Sequence, residues 1–308
     1  MQALTDAQVA FFKREGYLHL PGFFSPGEVA EFKTACKTNA PGDTACRTGF
    51  HNVMLTPKVV AVMKDLMGAP LIYPGLSLTR TDDVPKRVRS RFFHTDTVDE
   101  DGDYATEYPV INTGMYLQDH IAWSGGLKIM PRSHTRPCVT HKTVVELVKN
   151  ITKRLLRLDI SGAWQIVAPR HSINIPTMPG DFIVWYVRTH HSGYAVRPRF
   201  FPNLSLPPII ENWIPSFLRL PDNPERDVIL SIYAAPSKYF ESYLNAQVRK
   251  AHRKEHFLGN WCLESDELTR QVAALGVTIR NDGYHYARDP KSRFDVRPGQ
   301  VLASGGQQ

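Results

Sequence analysis

A histidine and an aspartate stand one residue apart in the stretch RFFHTDTVDE, residues 91–100. On a β-strand, residues i and i+2 project from the same face, so His94 and Asp96 are predicted to point together into whatever that face encloses. An imidazole beside a carboxylate supplies two of the three ligands in the two-histidine, one-carboxylate arrangement that holds non-haem Fe(II). The tripeptide alone is a weak signal, because a surface His–Asp hydrogen bond would leave the same pattern and the chain has twelve histidines.

A candidate for the third ligand lies far downstream, in the stretch PGDFIVWYVRTHHSGYAVR, residues 179–197. A Pro-Gly turn leads through Asp181 into a strongly apolar strand, which ends in two adjacent histidines, His190 and His191. Strand neighbours face opposite ways, so only one of the two can enter the interior of a barrel in regular geometry. The residues themselves leave both open.

The elements that must position these residues begin with three predicted helices. Thr5 followed by Gln8 is a capping-box pattern, and the helix that it starts is expected to stop near Gly16. The stretch YLHLPGFF then reads as a strand and a turn. Ser25 opens a second helix, and PKVVAVMKDLM forms a third that ends at Gly68.

Between Leu71 and Tyr233 the sequence changes to short runs rich in β-branched and aromatic residues, separated by turn residues. Many short strands with long, irregular connections predict a mainly β fold of the sandwich or jelly-roll type. A helix is predicted within this region at 143–156. Helices are expected again from Lys238 onward.

These patterns predict one domain over residues 1–300, followed by a flexible tail at 301–308. Its parts are a helical N-terminal flank (1–70), a β core (71–236) and a helical C-terminal flank (237–300). The core carries a proline-rich insertion at 198–225, which is expected to lie over the mouth of the site and to help select the substrate.

Composition restricts the class of protein. At 308 residues the chain can bury a sizeable core, and its 42% hydrophobic and 22% charged residues are ordinary for a soluble globular protein. No secretory signal or membrane-length apolar run is visible, so a cytoplasmic location without membrane association is the expectation. The four cysteines form no CxxC pair, which argues against a structural zinc site.

The formal net charge of +7 favours an anionic partner or substrate, although a merely basic surface would account for it as well. No nucleic-acid-binding motif accompanies the positive charge, so no nucleic-acid partner is expected. The oligomeric state is left open.

The order of these motifs resembles the phytanoyl-CoA dioxygenase family of Fe(II)- and 2-oxoglutarate-dependent oxygenases, over roughly residues 4–236. The opening GYLHLPGFFSPGEVAEF, the H-x-D in FFHTD, the element GGLKIMPRSH and the stretch PGDFIVWYVRTHHSG are each similar to a family element. Arg132 stands where the family usually has glycine. The resemblance implies a double-stranded β-helix core with flanking helices.

The resemblance also implies a ligand set. His94, Asp96 and a distal histidine would bind Fe(II), with His191 favoured over His190 by the strand length that follows Asp181. The far carboxylate of 2-oxoglutarate would pair with an arginine, a side chain whose planar fork suits a carboxylate. Arg226, which opens RDVILSIYAAP, is the first candidate and Arg199 the second.

Arg197 stays open as a third candidate for the same role, because the family usually places this arginine about ten residues after the distal histidine.

The implied activity is the hydroxylation, or another oxidation, of a C–H bond in a small-molecule substrate, with O2 as co-substrate and with release of succinate and CO2. Halogenation is disfavoured, because it would need a site without the carboxylate of Asp96. Two alternatives are a cupin-like metal-binding protein without turnover and a metal-dependent isomerase or hydrolase on the same barrel. The substrate itself is not indicated.

Overall fold

The structure is a computed structural model that describes residues 3–37, 54–74, 77–83, 93–97, 107–135, 172–206, 208–223, 225–253 and 266–280. The helix predicted at 143–156 and the tail at 301–308 lie outside these residues. Among the helices in the described ranges, none combines the length and the apolar character that crossing a membrane requires.

The N-terminal helices begin and end where the sequence signals place them. The side chain of Thr5 accepts a hydrogen bond from the backbone of Gln8, whose own side chain accepts from the backbone of Thr5. Gly16 ends this helix in the left-handed conformation, with φ at 82°. Ser25 and Glu28 form the same reciprocal cap on the second helix. The described helices are α1 (Asp6–Glu15), α2 (Pro26–Lys37), α3 (Pro57–Met67), α4 (Pro208–Trp213), α5 (Lys238–Arg253) and α6 (Asp266–Ala274).

Within the described residues the strands form two sheets. The larger has seven strands in the order β1-β7-β4-β9-β2-β10, with β3 also paired to β9; the smaller has three strands in the order β6-β5-β8. The strands are β1 (Tyr17–Leu20), β2 (Leu71–Tyr73), β3 (Ser77–Asp83), β4 (Val110–Tyr116), β5 (Gly126–Ile129), β6 (Ile173–Asn174), β7 (Phe182–Tyr186), β8 (His191–Ala195), β9 (Glu225–Ala234) and β10 (Val277–Ile279).

The two sheets face each other, and the alternation of side chains along β7 shows how. Ile183 and Trp185 pack into a cluster shared with the small sheet, so they lie in the interior between the sheets. Phe182, Val184 and Tyr186 point the other way, into the core beneath the helices. The interior cluster consists of Tyr116, Leu127, Ile129, Ile175, Ile183, Trp185 and Val228.

This arrangement confirms the predicted fold class. The chain is mainly β, with flanking helices and a double-stranded β-helix core. Pairing between the named strands is antiparallel, except that β10 runs parallel to β2.

One strand was not expected from the sequence. β10 lies in the flank predicted to be helical, and its three residues pair with Leu71–Tyr73 at the edge of the large sheet. A strand of three residues is too short to give a periodic signal in the sequence.

The insertion between β8 and β9 contacts the small sheet through Lys128. Lys128 alternates with the interior residues Leu127 and Ile129, so its side chain leaves the small sheet on the outer face. There its ammonium group contacts the carboxylate of Glu211 at 2.5 Å and the carbonyl oxygen of Leu206 at 2.5 Å. These contacts place Leu206 and Glu211 of the insertion at the outer face of the small sheet.

Candidate metal centre

His94 and His191 are joined first through their backbones. They pair as an antiparallel bridge in which each backbone N–H donates to the carbonyl oxygen of the other, both at 3.0 Å. The backbone N–H of Asp96 donates to the carbonyl oxygen of Val187 at 2.9 Å. The H-x-D segment therefore pairs with the free edge of β8 in the manner of a further strand.

This pairing brings three side chains to one point. One ligand atom from each of His94, Asp96 and His191 lies within 4.8 Å of the others. Nε2 of His191 is 3.4 Å from Oδ2 of Asp96, and Nε2 of His94 is 4.0 Å from Oδ1 of the same carboxylate. The two imidazole rings lie 4.5 Å apart between centroids.

The donor set fits a divalent transition metal. Two imidazoles and one carboxylate on one side of an ion form the facial triad of non-haem Fe(II), with positions left open for other ligands. Nδ1 of His191 lies 2.9 Å from the carbonyl oxygen of Thr189, which can only accept, so Nδ1 carries the proton. That leaves Nε2, the nitrogen directed at Asp96, with the lone pair that a metal requires.

The carboxylate of Asp96 is oriented by a residue of the facing sheet. The side-chain amide of Asn112, on β4, donates to Oδ2 of Asp96 at 2.6 Å. Gln247 of α5 donates to the backbone carbonyl oxygen of Asp96 at 3.4 Å. Tyr243 lies behind it on the same helix; burial first, and the charge of Asp96 second, raise the pKa of its phenol.

The site opens to solvent on one side. The side chain of His94 is 47% exposed and that of Asp96 is 32% exposed, whereas that of His191 is only 8% exposed. The metal position is therefore reached from the side of His94, while His191 belongs to the interior. The arrangement can bind an ion at the rim of an apolar barrel.

The neighbouring histidine is directed elsewhere. His190 is buried, its backbone N–H donates to Oγ of Ser133 at 2.8 Å, and its carbonyl oxygen accepts from the backbone N–H of Met130. It is not a member of the three-residue group. The structure thus brings His191, rather than His190, to Asp96.

The candidate arginines lie in three different settings. Arg226 is in β9, with its Cα opposite that of Asp82 in β3; its side chain lies outside the described part of the chain. Arg199 is exposed. Arg197 is buried, and its guanidinium donates to the carbonyl oxygens of His120 and Ile121 and to two acceptors within the insertion.

Asp181, the turn aspartate of the sequence analysis, has a structural position. It accepts hydrogen bonds from the backbone N–H groups of Gly22 and Met178 and contacts Nε2 of His19 at 2.8 Å. Burial opposes its ionisation, but these bonds outweigh burial and hold its pKa below the usual range. The residue ties β1 to the turn that starts β7.

Two residues near the centre were missed by sequence reasoning. Asn112 is an amide residue at an interior position of the fully buried strand VINTGMY, and that contrast could have indicated it. Trp185 lies at an interior position of β7, with its ring 5.5 Å from that of His191. Among five consecutive apolar residues it gave no separate signal.

No protein-family model matches the sequence, and no curated protein matches it. Solved structures do match. AviO1 from Streptomyces viridochromogenes Tue57 is 16% identical, with 77% of this chain and 97% of that chain covered at a TM-score of 0.50. EctD from S. alaskensis with bound Fe is 16% identical, with 76% and 78% covered at a TM-score of 0.49.

SnoK, described as a non-haem alpha-ketoglutarate-dependent carbocyclase from nogalamycin biosynthesis, is 18% identical, with 76% of this chain and 86% of that chain covered at a TM-score of 0.48. At these identities the likeness concerns the fold alone. The chain shares its fold with AviO1.

Proposed function

We propose that this protein is an Fe(II)- and 2-oxoglutarate-dependent dioxygenase of the phytanoyl-CoA dioxygenase type, which hydroxylates or otherwise oxidises a C–H bond of a small molecule. One observation carries the proposal: ligand atoms of His94, Asp96 and His191, from two distant segments, converge within 4.8 Å at the rim of a double-stranded β-helix. The other residues around the centre support that role.

Each protein group has a definable task. His94, Asp96 and His191 hold the metal on one side, the Thr189 carbonyl oxygen fixes the tautomer of His191, and Asn112 fixes the rotation of the Asp96 carboxylate. Bound Fe(II) supplies the activation of O2 that accompanies oxidative decarboxylation of 2-oxoglutarate to succinate and CO2. The apolar cluster between the two sheets limits the access of water to the metal position from the interior of the barrel.

Arg226 is the proposed anchor for the far carboxylate of 2-oxoglutarate. It stands two residues before Val228 and four before Leu230, and both of these pack into the interior cluster. The period of a strand assigns position 226 to the same face. Arg199, which is exposed, is the second candidate.

Two substitutions distinguish these arginines. Arg226→Ala is expected to raise the KM for 2-oxoglutarate about tenfold or more, because a charge-assisted bidentate pair is lost. Arg199→Ala, the matched control, leaves that KM unchanged. The reverse result would assign the anchor to Arg199.

The substrate is expected to be a small molecule that enters past His94. The net charge of +7 favours an anionic compound, such as a phosphorylated compound or a carboxylate. Screening metabolite pools for substrate-stimulated succinate release tests this expectation. Stimulation confined to neutral compounds would contradict the anionic preference.

The decisive experiment measures succinate release by the Fe(II)-loaded protein with 2-oxoglutarate under air. His94→Ala and Asp96→Ala are expected to abolish release while circular dichroism shows an unchanged fold. His190→Gln, the matched histidine control, retains activity. Release that survives loss of His94 or Asp96 would overturn the assignment of these ligands.

The same assay separates the proposal from the two other readings of the barrel. A metal-binding protein without turnover would bind 2-oxoglutarate and consume none with any substrate in the screen. An isomerase or hydrolase would act without 2-oxoglutarate and would be indifferent to removal of O2. Either result would contradict the oxygenase proposal.

A further inference from the structure

The indole N–H of Trp185 is a buried hydrogen-bond donor whose acceptor is missing. Trp185 is 2% exposed, and among the described residues its Nε1 has no hydrogen-bond partner. Buried indole N–H groups ordinarily have a partner, since leaving one unpaired costs free energy of desolvation. Such a group calls for an acceptor that the described residues do not supply.

The ring is held in the barrel interior by its surroundings. Trp185 belongs to the cluster between the two sheets and lies 5.5 Å from the ring of His191. A Cβ at Gly114 would come within 3.1 Å of the far edge of the indole, so glycine at this position of β4 makes room for the ring. The donor is thus part of a built site beside a proposed metal ligand.

The backbone register connects this donor with the metal centre a second time. The Cα of Trp185 lies opposite that of Asn112, whose amide orients Asp96. Asn112 therefore orients the carboxylate ligand, and Trp185, its neighbour across the strand pair, offers a hydrogen-bond donor without an acceptor among the described residues. An organic acid bound to the metal from inside the barrel would have its oxygens on the side of His191 that faces Trp185.

We propose that the indole N–H of Trp185 donates a hydrogen bond to a carboxylate or keto oxygen of a 2-oxo acid bound at the metal centre. This inference rests on the proposed function and names a residue that binds its co-substrate. An apolar ligand would leave the donor unpaired, whereas an anion next to a metal cation supplies a strong acceptor.

Trp185→Phe tests the inference because it removes the N–H and retains an apolar aromatic ring. Binding is measured by calorimetry with Mn(II) in place of Fe(II), first for the metal alone and then for 2-oxoglutarate added to the Mn(II)-loaded protein. The metal affinity is expected to stay within about twofold, while the affinity for 2-oxoglutarate falls about tenfold, the effect of one charge-assisted hydrogen bond. Trp213→Phe, which alters an indole that is 82% exposed, is the control and changes neither affinity.

Pyruvate, which has the 2-oxo acid group but no far carboxylate, locates the contact. An equal loss of affinity for pyruvate and 2-oxoglutarate supports a donor at the metal-proximal end. A loss for 2-oxoglutarate alone would contradict that placement. Equal binding of 2-oxoglutarate by wild type and Trp185→Phe would overturn the inference, because a buried water would then satisfy the donor.

Two further outcomes are distinguishable. If the Mn(II)-loaded wild type binds no 2-oxoglutarate, the proposed function itself fails. If Trp185→Phe loses metal affinity, the ring positions His191 and the binding role is overturned.

Should this variant not fold, the wild-type protein gives the answer by NMR with Zn(II). The indole proton of Trp185, assigned through scalar couplings within its own side chain, shifts downfield when 2-oxoglutarate is added. An unchanged shift would contradict the proposal.

Discussion

Among single residues, Asp96 depends most visibly on a neighbour outside its own segment. Its Oδ2 accepts from Asn112 at 2.6 Å, while both histidines approach the same carboxylate within 4.0 Å. Without the amide of Asn112, the carboxyl group of Asp96 would rotate more freely. Metal binding would then have to fix its orientation, which lowers the affinity for the metal.

Asn112→Ala is therefore expected to weaken Mn(II) binding about 10- to 100-fold, the usual effect of removing a hydrogen bond that orients a ligand. Equilibrium dialysis against Mn(II) measures the change. Asn174→Ala, which removes an amide that contacts carbonyl oxygens of the insertion, is the control and leaves Mn(II) affinity intact. An Asn112→Ala protein that binds Mn(II) like wild type would remove Asn112 from the site.

The contacts of Arg132 account for an arginine at a position where the phytanoyl-CoA dioxygenase family usually has glycine. Its φ is 62°, the left-handed region that favours glycine, which accounts for the glycine usual at this position. The guanidinium holds the carboxylate of Glu15 through two nitrogens, and its backbone N–H donates to the Glu15 carbonyl oxygen. The contacts with α1 offset the unfavourable backbone conformation.

This pair predicts a pH dependence of stability. Hydrogen bonds from Arg132 lower the pKa of Glu15 from 4.5 to about 2. Because the folded pKa is depressed, the contribution to stability is complete above pH 4.5 and is lost as the pH falls towards 2. Arg132→Gly is expected to flatten the slope of unfolding free energy against pH in that window, measured by urea titrations. Arg14→Ala removes the weaker partner and flattens it less; an unchanged slope in Arg132→Gly would contradict the assignment.

At the scale of elements, the insertion is attached to the small sheet by a fully buried ion pair. The side chains of Lys128 and Glu211 are both 0% exposed, and burial lowers the pKa of the lysine despite its partner. Removing one partner leaves a buried charge uncompensated, whereas replacing both with apolar residues removes the desolvation cost of each.

Lys128→Met and Glu211→Leu are each expected to destabilise the protein by about 3–5 kcal/mol, and the double variant by much less. Urea unfolding of the four proteins gives the coupling free energy. The partly exposed pair Lys58–Glu28 is the control, with a coupling below about 1 kcal/mol. Additive losses at Lys128 and Glu211 would show that the pair does not act as a unit.

The elements also show what local sequence could predict. The caps at Thr5 and Ser25 are decided by residues three positions apart, so the sequence contains the whole signal. The convergence of His94 with His191 depends on strand pairing between distant segments, and only the order of the motifs indicated it. Which face of the small sheet receives the insertion depends on Lys128 and Glu211 meeting in space, and no local pattern contains that information.

At the scale of the whole molecule, metal binding is expected to raise thermal stability, because the three ligands come together only in the folded chain. At a Mn(II) concentration one hundred times the Kd, the gain is about 2.7 kcal/mol. Differential scanning calorimetry with and without Mn(II) measures the shift in Tm. Asp96→Ala is expected to abolish the shift; a shift that persists would place the stabilising metal elsewhere.

The two edges of the large sheet come from opposite ends of the described chain. Tyr17 pairs with Trp185 at one edge, and Val277 pairs with Leu71 at the other. A nascent chain leaving the ribosome therefore carries β1 without its partner until β7 has been made, and the outer edge of β2 stays open until β10 follows. This sheet cannot be completed before β10 has been made, and a stalled chain that ends before residue 277 would present an open strand edge to chaperones.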